Sequence, residues 1–205
     1  MQGEMVTISI CIVLLVCVIV LIVKWGDIKS AQVRKRGKKK ILETLAALPA
    51  TFIVLDDVVL PTQKGKTTID FVIVSPYAIF VVKMLGYQGQ IVGADQRKEW
   101  AEIHKDRVWR PNRRMDIYQY TRRNYFFNPV KPLYGQRDIL RKQLEQFPDI
   151  LIVPELVFTE NADIQLVKSR IRVIHVEQLL SDINHFHHVA LSQEQVRDIA
   201  RMLKK

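Results

Sequence analysis

The chain has very little cysteine. Both cysteines, Cys11 and Cys17, lie inside an apolar run near the N-terminus, and the other residues contain none. Beyond that run, the absence excludes disulfides, a thiol nucleophile and cysteine-ligated zinc. It also fits a reducing compartment.

Other signatures of catalysis and phosphate binding are missing as well. Residues 63–68 (QKGKTT) only echo a phosphate loop, and they precede a predicted strand instead of opening a helix. His185, His187 and His188 lie close together but have no acidic or cysteine partner at ligand spacing, so we interpret them as a solvated helix end. The spacing gives no Ser/His/Asp arrangement, and we predict no metal site and no cofactor.

Positive charge is in excess. The chain has 31 Lys and Arg against 21 Asp and Glu, a formal net charge of +10 over 205 residues. This excess points to an anionic partner, either nucleic acid or a phospholipid surface, or else to solubility and membrane topology alone. The length leaves room for one membrane segment and one ordinary domain.

A nearly unbroken run of Val, Ile, Leu and Cys extends from Val6 to Val23. As a helix, it would span about 27 Å, close to the hydrocarbon core of a bilayer. It has no basic start and no cleavage site, so residues 1–25 are predicted to form an uncleaved transmembrane anchor. Basic residues concentrate at positions 24–40, which places the C-terminal domain in the cytoplasm and makes residues 26–37 a basic juxtamembrane linker.

The rest of the chain alternates between helical and strand patterns. Helices are predicted over residues 38–48, 133–147, 176–183 and from a capping box at 192–195, and strands over 51–60, within 67–89, and over 90–92, 150–158 and 171–175. Residues 61–66 are predicted to be a loop, and Pro154 forces an edge position or a break in its strand. The pattern predicts a mixed α/β domain over residues 38–185, with residues 186–205 adding a C-terminal helix.

Apolar periodicity fades between residues 97 and 127, where basic and aromatic residues alternate. Two interpretations stay open. The segment is either a surface excursion with solvated arginines or a nucleic-acid-binding surface, in which arginines contact phosphates and aromatics stack on bases. The candidate nucleic-acid-binding residues are Arg107, Trp109, Arg110, Arg113, Arg114, Arg122 and Arg123.

The domain is organised around residues 67–89, which read as two core strands joined by a turn at residues 76–78. Residues two apart in a strand share a face. This alternation places Asp70 opposite Lys83 or Met84, with Cβ atoms about 5 Å apart if the residues are directly paired. We therefore predict an ion pair between Asp70 and Lys83.

These strands and their surroundings resemble the nuclease-related domain (NERD) family. The resemblance covers most of residues 37–185 and rests on Gly37, Leu45, Leu48-Pro49, Asp56-Asp57-Val58, Leu60-Pro61, Ile69-Asp70, Val74-Ser75-Pro76-Tyr77, Ile79-Phe80-Val81, Gly89, Ile91, Gly93, Trp100, Asn128-Pro129, Val157-Phe158 and a strand and helix at 173–180. It implies a restriction-endonuclease-like mixed sheet flanked by helices, related to PD-(D/E)xK nucleases. Many members are bacterial, and some are membrane-anchored.

The family's chemistry implies a strand Asp, a Glu-x-Lys on the next strand and often a Glu on the preceding helix. Clustered carboxylates hold Mg²⁺, which stabilises the phosphoryl transition state and helps to activate water. Here Asp70 is kept, whereas Lys83 and Leu85 occupy the Glu and Lys positions and Lys38 occupies that of the helix Glu. Smaller departures are Phe71, where a His is frequent, and Ala78, where the turn has a Gly.

One carboxylate beside an ammonium is a poor magnesium site. Unit charges 4 Å apart interact by about 4 kcal/mol at an effective dielectric constant near 20, so Lys83 attracts Asp70 and repels a metal. The sequence predicts a membrane-anchored, catalytically inactive domain with a vestigial Asp70, which acts by binding nucleic acid or an acidic protein partner.

Two alternatives stay open. The first is a divergent Mg²⁺-dependent nuclease, in which Asp70 works with relocated carboxylates from Glu43, Asp56 or Asp57. The second is a structural or interaction module at the membrane, whose basic surface contacts lipids or an acidic partner.

Overall fold

The computed structural model describes residues 31–62, 65–109 and 117–204, with the backbone alone over 106–109 and 117–120. The predicted anchor at residues 1–25 lies outside these ranges. Within them, no helix is both long and apolar enough to cross a bilayer.

The described residues form two sheets and four α-helices. The strands are β1 Ile53–Thr62, β2 Gly65–Val74, β3 Ile79–Leu85, β4 Gly89–Ala94, β5 Glu99–Trp109, β6 Ile117–Phe127, β7 Ile152–Phe158, β8 Ala162–Lys168 and β9 Arg172–His175. The helices are α1 over residues 31–45, α2 Val130–Gln143, α3 Leu179–Ile183, directly preceded by a 3₁₀ turn at Val176–Gln178, and α4 Gln193–Leu203.

The first sheet has the strand order β1-β2-β3-β7-β9, and the second has the order β6-β5-β4-β8. In the first sheet β1, β2 and β3 are antiparallel, whereas β3, β7 and β9 run parallel. The second sheet is also mixed, because β8 runs parallel to β4. The predicted mixed α/β fold is confirmed, but the chain builds two mixed sheets where the sequence led us to expect one.

The first sheet separates two apolar cores. One core joins it to α2, α4 and the second sheet, with Trp100 and Leu133 fully buried. The other lies under α1 and α3 and contains Leu45, Phe80 and Leu179. Covering on both faces explains why β2 and β3 are nearly continuous apolar runs and not alternating ones.

The predicted excursion at residues 97–127 is largely a regular antiparallel hairpin of β5 and β6, paired from Glu99↔Phe127 to Trp109↔Ile117. Residues 121–125 of β6 are exposed whichever face of the strand they occupy. Because no buried face imposes a period of two there, the apolar alternation that marks a strand is absent.

The position predicted for Pro154 is wrong in part. Its strand, β7, lies inside the sheet between β3 and β9. However, β9 begins to pair only at Glu155, one residue after the proline, so Pro154 has a strand partner only on the β3 side. A missing N–H is tolerated at such a local edge.

Several element boundaries also differ from expectation. Residues 31–37, assigned to the linker, belong to α1, which ends at residue 45. The loop predicted at 61–66 is shorter, because β1 extends to Thr62 and β2 begins at Gly65. Strand β8 was not predicted. The capping box that opens α4 is confirmed, with the Ser192 side chain accepting a hydrogen bond from the Gln195 N–H.

Candidate functional site

The Asp70 carboxylate lies where β2 and β3 separate. Their pairing ends at Phe71↔Val82, one step before Asp70 and Lys83. The Asp70 side chain is 7% exposed, and its Oδ2 atom lies 3.0 Å from Lys83 Nζ. The same oxygen accepts a hydrogen bond of 3.0 Å from the backbone N–H of Met84. The structure thus brings together the two residues that strand alternation placed opposite each other.

Helix α1 supplies a second cation to this carboxylate. Arg34 Nη2 lies 3.5 Å from Asp70 Oδ1, and the same nitrogen lies 3.5 Å from Asp57 Oδ1. Both oxygens of Asp70 therefore have a positively charged partner. Arg34 was assigned to the linker from sequence, and its role emerges only because α1 packs over the split between the strands.

Strand β1 places two more carboxylates beside α1. Asp57 has φ 47° and is not paired with Asp70, although Asp56↔Phe71 and Val58↔Ile69 on either side keep the same register. At this local distortion two consecutive acidic residues face the same cation. That cation is Lys38, whose Nζ lies 2.6 Å from Oδ2 of Asp56 and 2.6 Å from Oδ2 of Asp57. The hydrogen bond to Asp56, followed by that to Asp57, raises the pKa of Lys38. The same contact with Lys38 lowers the pKa of Asp56.

We call this set of charges the ion-pair cluster. It combines three carboxylates with three cations: Asp56, Asp57, Asp70, Arg34, Lys38 and Lys83. Glu43, the other candidate replacement ligand, forms an exposed pair with Lys39 at 3.6 Å. Among the described residues, no group of three or more His, Cys, Asp or Glu side chains is arranged to hold a metal ion.

A cavity of about 420 Å³ opens beside Asp70 and Lys83. Its walls include the side chains of Arg34, Met84 and Tyr87. Leu85, at the family's lysine position, is 6% exposed and packs in the core. The charged side chains at this cavity therefore form ion pairs with one another, and Leu85 stands where the family resemblance implies a lysine.

A second buried acidic site was missed from sequence. Glu155 on β7 is fully buried, and neither of its carboxyl oxygens accepts a hydrogen bond from a described donor. Burial, and next the carboxyl group of Asp182, raise the pKa of Glu155 to about 9, against the opposing influence of Arg172. Glu155 is therefore protonated at neutral pH, while Asp182 is paired with Arg172. The signal in the sequence was a single acidic residue inside the apolar run IVPELVF.

Among the candidate nucleic-acid residues, the structure describes the side chains of Arg122 and Arg123 alone. Arg122 and Arg123 are exposed on β6, but as successive strand residues they belong to opposite faces of the hairpin. Arg107 and Trp109 lie in β5, where the structure describes the backbone only. Arg110, Arg113 and Arg114 lie outside the described residues.

The three clustered histidines, His185, His187 and His188, follow the C-terminal end of α3. The ring nitrogen Nδ1 of His185 lies 2.6 Å from the Ser181 carbonyl oxygen, which ties it to the end of the helix. His187 and His188 are exposed in the segment before α4.

Asp70 lies where two strands of a mixed sheet separate, and helix α1, which covers this point, carries its partner Arg34. This arrangement is the framework of a nuclease-like domain. The chain belongs to the NERD family: the model of the nuclease-related domain matches residues 34–159, a span that contains the whole ion-pair cluster. A Bacillus anthracis protein described as uncharacterized is 33% identical over 70 residues, which make up 33% of either chain. The chain thus spans about a third of the length of that relative. No solved structure matches.

Proposed function

We propose that this protein is a membrane-anchored, cytosol-facing NERD domain that no longer cleaves phosphodiester bonds and acts by binding, with nucleic acid as its ligand. The observation that carries the proposal is the occupation of both Asp70 oxygens by cations, with Lys83 Nζ at 3.0 Å from Oδ2 and Arg34 Nη2 at 3.5 Å from Oδ1.

The electrostatics of the cluster oppose metal binding. Mg²⁺ prefers oxygen ligands at about 2.0–2.1 Å and is usually held through one or two carboxylates together with water and substrate phosphates. At Asp70 a metal would have to displace Lys83, and two unit charges 4 Å apart already repel by about 4 kcal/mol near a protein surface. Asp56 and Asp57 offer no substitute, because Lys38 lies between them at 2.6 Å from each.

Attachment to the cytoplasmic side of a membrane is part of the proposal. Its support is the apolar run from Val6 to Val23 together with the basic residues that follow it. Exposed basic side chains continue into α1 at Lys35, Arg36 and Lys39. Basic residues beside an anionic leaflet contribute about 1 kcal/mol each to membrane attraction.

A cleavage assay tests the loss of catalysis. The full chain in a non-ionic detergent is incubated with supercoiled DNA, linear DNA and single-stranded RNA in Mg²⁺ and in Mn²⁺. We expect no more cleavage than an Asp70→Ala preparation purified in parallel produces. Metal-dependent cleavage that disappears in Asp70→Ala, and persists in the exposed control Asp138→Ala, would instead establish the divergent nuclease.

Binding measurements distinguish the proposed function from the alternative of an interaction module at the membrane. A nucleic-acid ligand predicts a linear fall of log K with log salt, because phosphate contacts release counterions. An absence of nucleic-acid binding at low salt, with retained binding to anionic vesicles, would favour the interaction module at the membrane.

A further inference from the structure

The second sheet packs one face against the core, whereas its other face has exposed apolar side chains on the two edge strands, β6 and β8, with Ala101 on β5 only 7% exposed. The pairings Tyr125↔Ala101, Ala101↔Val92 and Val92↔Leu166 form a straight row across all four of its strands. Trp100, on the opposite face, is fully buried. Alternation in the strands therefore places the row Tyr125–Ala101–Val92–Leu166 on the outer face.

This outer face exposes large apolar side chains. Tyr125 is 63% exposed, Phe127 is 75% exposed, and Leu166 is 49% exposed. Tyr125 and Phe127 are two residues apart in β6, so both rings lie on the same face. By contrast, Phe126 points inward and stacks on Tyr87 with ring centroids 3.7 Å apart. The strand thus holds one aromatic ring inside and presents two rings to solvent.

Three cations lie on the same face as the two rings. Arg123 precedes Tyr125 by two residues in β6, and Lys105 lies on β5 two residues beyond Ile103, the partner of Arg123. Lys168 on β8 is paired with Ala94 at the far side of the sheet. All three side chains are exposed, as are the two outer-face carboxylates Glu99 and Asp163. The two rings therefore lie on the edge strand β6 with Arg123, and the face as a whole carries three cations against two carboxylates.

We propose that this outer face binds single-stranded nucleic acid, with bases stacked on Tyr125 and Phe127 and phosphates held by Arg123, Lys105 and Lys168. The inference rests on the proposed nucleic-acid-binding function and names its surface and ligand class. Exposed rings on a sheet stack with the faces of unpaired bases, which a duplex hides between neighbouring base pairs. Cations around the rings supply the salt-dependent attraction to phosphates. The surface shares Arg123 with the candidate residues named from the sequence and adds Tyr125 and Phe127, which carry the specificity.

The test is fluorescence anisotropy with the full chain in a non-ionic detergent. The probes are labelled oligothymidine and oligouridine of about 20 nucleotides, long enough to exceed common single-strand site sizes, and a duplex of equal length. We expect single strands to bind more tightly than the duplex, and Tyr125→Ala with Phe127→Ala to raise Kd about tenfold or more. Both residues are exposed, so the double variant should keep its unfolding midpoint.

Matched controls separate this surface from general effects. Val189→Ala truncates another apolar side chain that is 64% exposed, and it should leave Kd unchanged. Arg123→Gln should weaken binding and lower the slope of log K against log salt by about one, whereas Arg201→Gln on α4 should do neither.

Three outcomes would overturn the inference. One is nucleic-acid binding that is unchanged in the double variant, which leaves the proposed function standing but moves its surface elsewhere. Another is a preference for the duplex. The third is a double variant that no longer self-associates, as measured by light scattering, but still binds nucleic acid. That result would assign the face to contact with a second copy of the chain. Failure of the proposed non-catalytic function is a separate result, seen in the Asp70-dependent cleavage assay.

Discussion

Lys83 Nζ lies 3.0 Å from Asp70 Oδ2, inside a domain whose family resemblance implies a second carboxylate at position 83. The strand framework places the two side chains together, and they form an ion pair. Lys38 forms ion pairs with Asp56 and Asp57 in the same way. The cluster is therefore balanced without a metal.

Removing the ammonium should destabilise the domain. In Lys83→Met, the buried Asp70 keeps Arg34 and the Met84 N–H but loses its nearest cation. We expect the free energy of unfolding to fall by about 1–2 kcal/mol. This loss is smaller than for a fully buried ion pair, because the Lys83 side chain is 33% exposed. Urea unfolding, followed by tryptophan fluorescence, measures this loss.

The matched control for that change is Lys39→Met. Lys39 forms a pair with Glu43 in which both side chains are mostly exposed, at 3.6 Å. Its removal should change stability by less than about 0.5 kcal/mol. Equal losses in the two variants would mean that the Lys83 contact adds nothing beyond a surface charge.

Restoring acidic residues should create a metal site. Lys38→Glu combined with Lys83→Glu would surround Asp70, Asp56 and Asp57 with two further carboxylates and leave Arg34 as the one cation of the cluster. Mutual repulsion should lower the thermal midpoint of this variant without metal. Millimolar Mn²⁺ should then raise that midpoint, because a ligand that binds only the folded state stabilises it by mass action.

The control for the rebuilt site is Lys38→Gln combined with Lys83→Gln, which removes the same cations but adds no carboxylate ligand. Its midpoint should not respond to Mn²⁺. If both double variants respond alike, the added carboxylates are not the ligands, and the family's chemistry does not map onto positions 38 and 83.

The burial of Glu155 predicts a pH-dependent stability. Its folded pKa of about 9 lies above its usual value of 4.5, so the folded state keeps a proton that the unfolded chain releases between these values. The contribution of this group is therefore full below pH 4.5 and is lost as the pH rises toward 9, with a slope of up to about 1.4 kcal/mol per pH unit.

The isosteric variant Glu155→Gln tests this dependence. It should flatten the fall in the free energy of unfolding between about pH 5.5 and about pH 8. The exposed control Glu145→Gln should leave the slope as it is in the unmodified chain. A slope that is unchanged in Glu155→Gln would show that this carboxyl group is ionised in the folded domain.

The contact between Gly93 and Trp100 predicts a packing defect. A Cβ atom at Gly93 would overlap the indole ring of Trp100, which is fully buried and donates through Nε1 to the Ala94 carbonyl at 3.1 Å. Gly93→Ala should cost about 2–3 kcal/mol of stability. Gly135→Ala, in open space on α2, should instead be neutral or stabilise by up to about 1 kcal/mol. Urea unfolding of the two variants measures the difference.

The central hairpin was readable from sequence because each of its core strands carries one charged residue in an otherwise apolar run. A period of two then places Asp70 against Lys83 within one residue. The deciding information lies within a few residues of the chain.

The contacts that were missed join distant parts of the chain. Arg34 reaches Asp70 because α1 begins earlier than its apolar spacing suggested, and Glu155 acquires its raised pKa from burial beside Asp182, 27 residues further on. Strand β6 has residues exposed on both faces, so it lacks the pattern by which strands are recognised. The aromatic outer face therefore became visible only once the register of the second sheet was known.

The most direct measurement of the central claim is Mn²⁺ binding to the unmodified full chain by isothermal titration calorimetry, with Asp70→Asn as the reference. The balanced ion-pair cluster predicts that the two proteins give the same heats, with no saturable binding at millimolar metal. Stoichiometric binding to the unmodified chain that Asp70→Asn abolishes would contradict the account, because it would show that Asp70 still holds a metal despite Lys83.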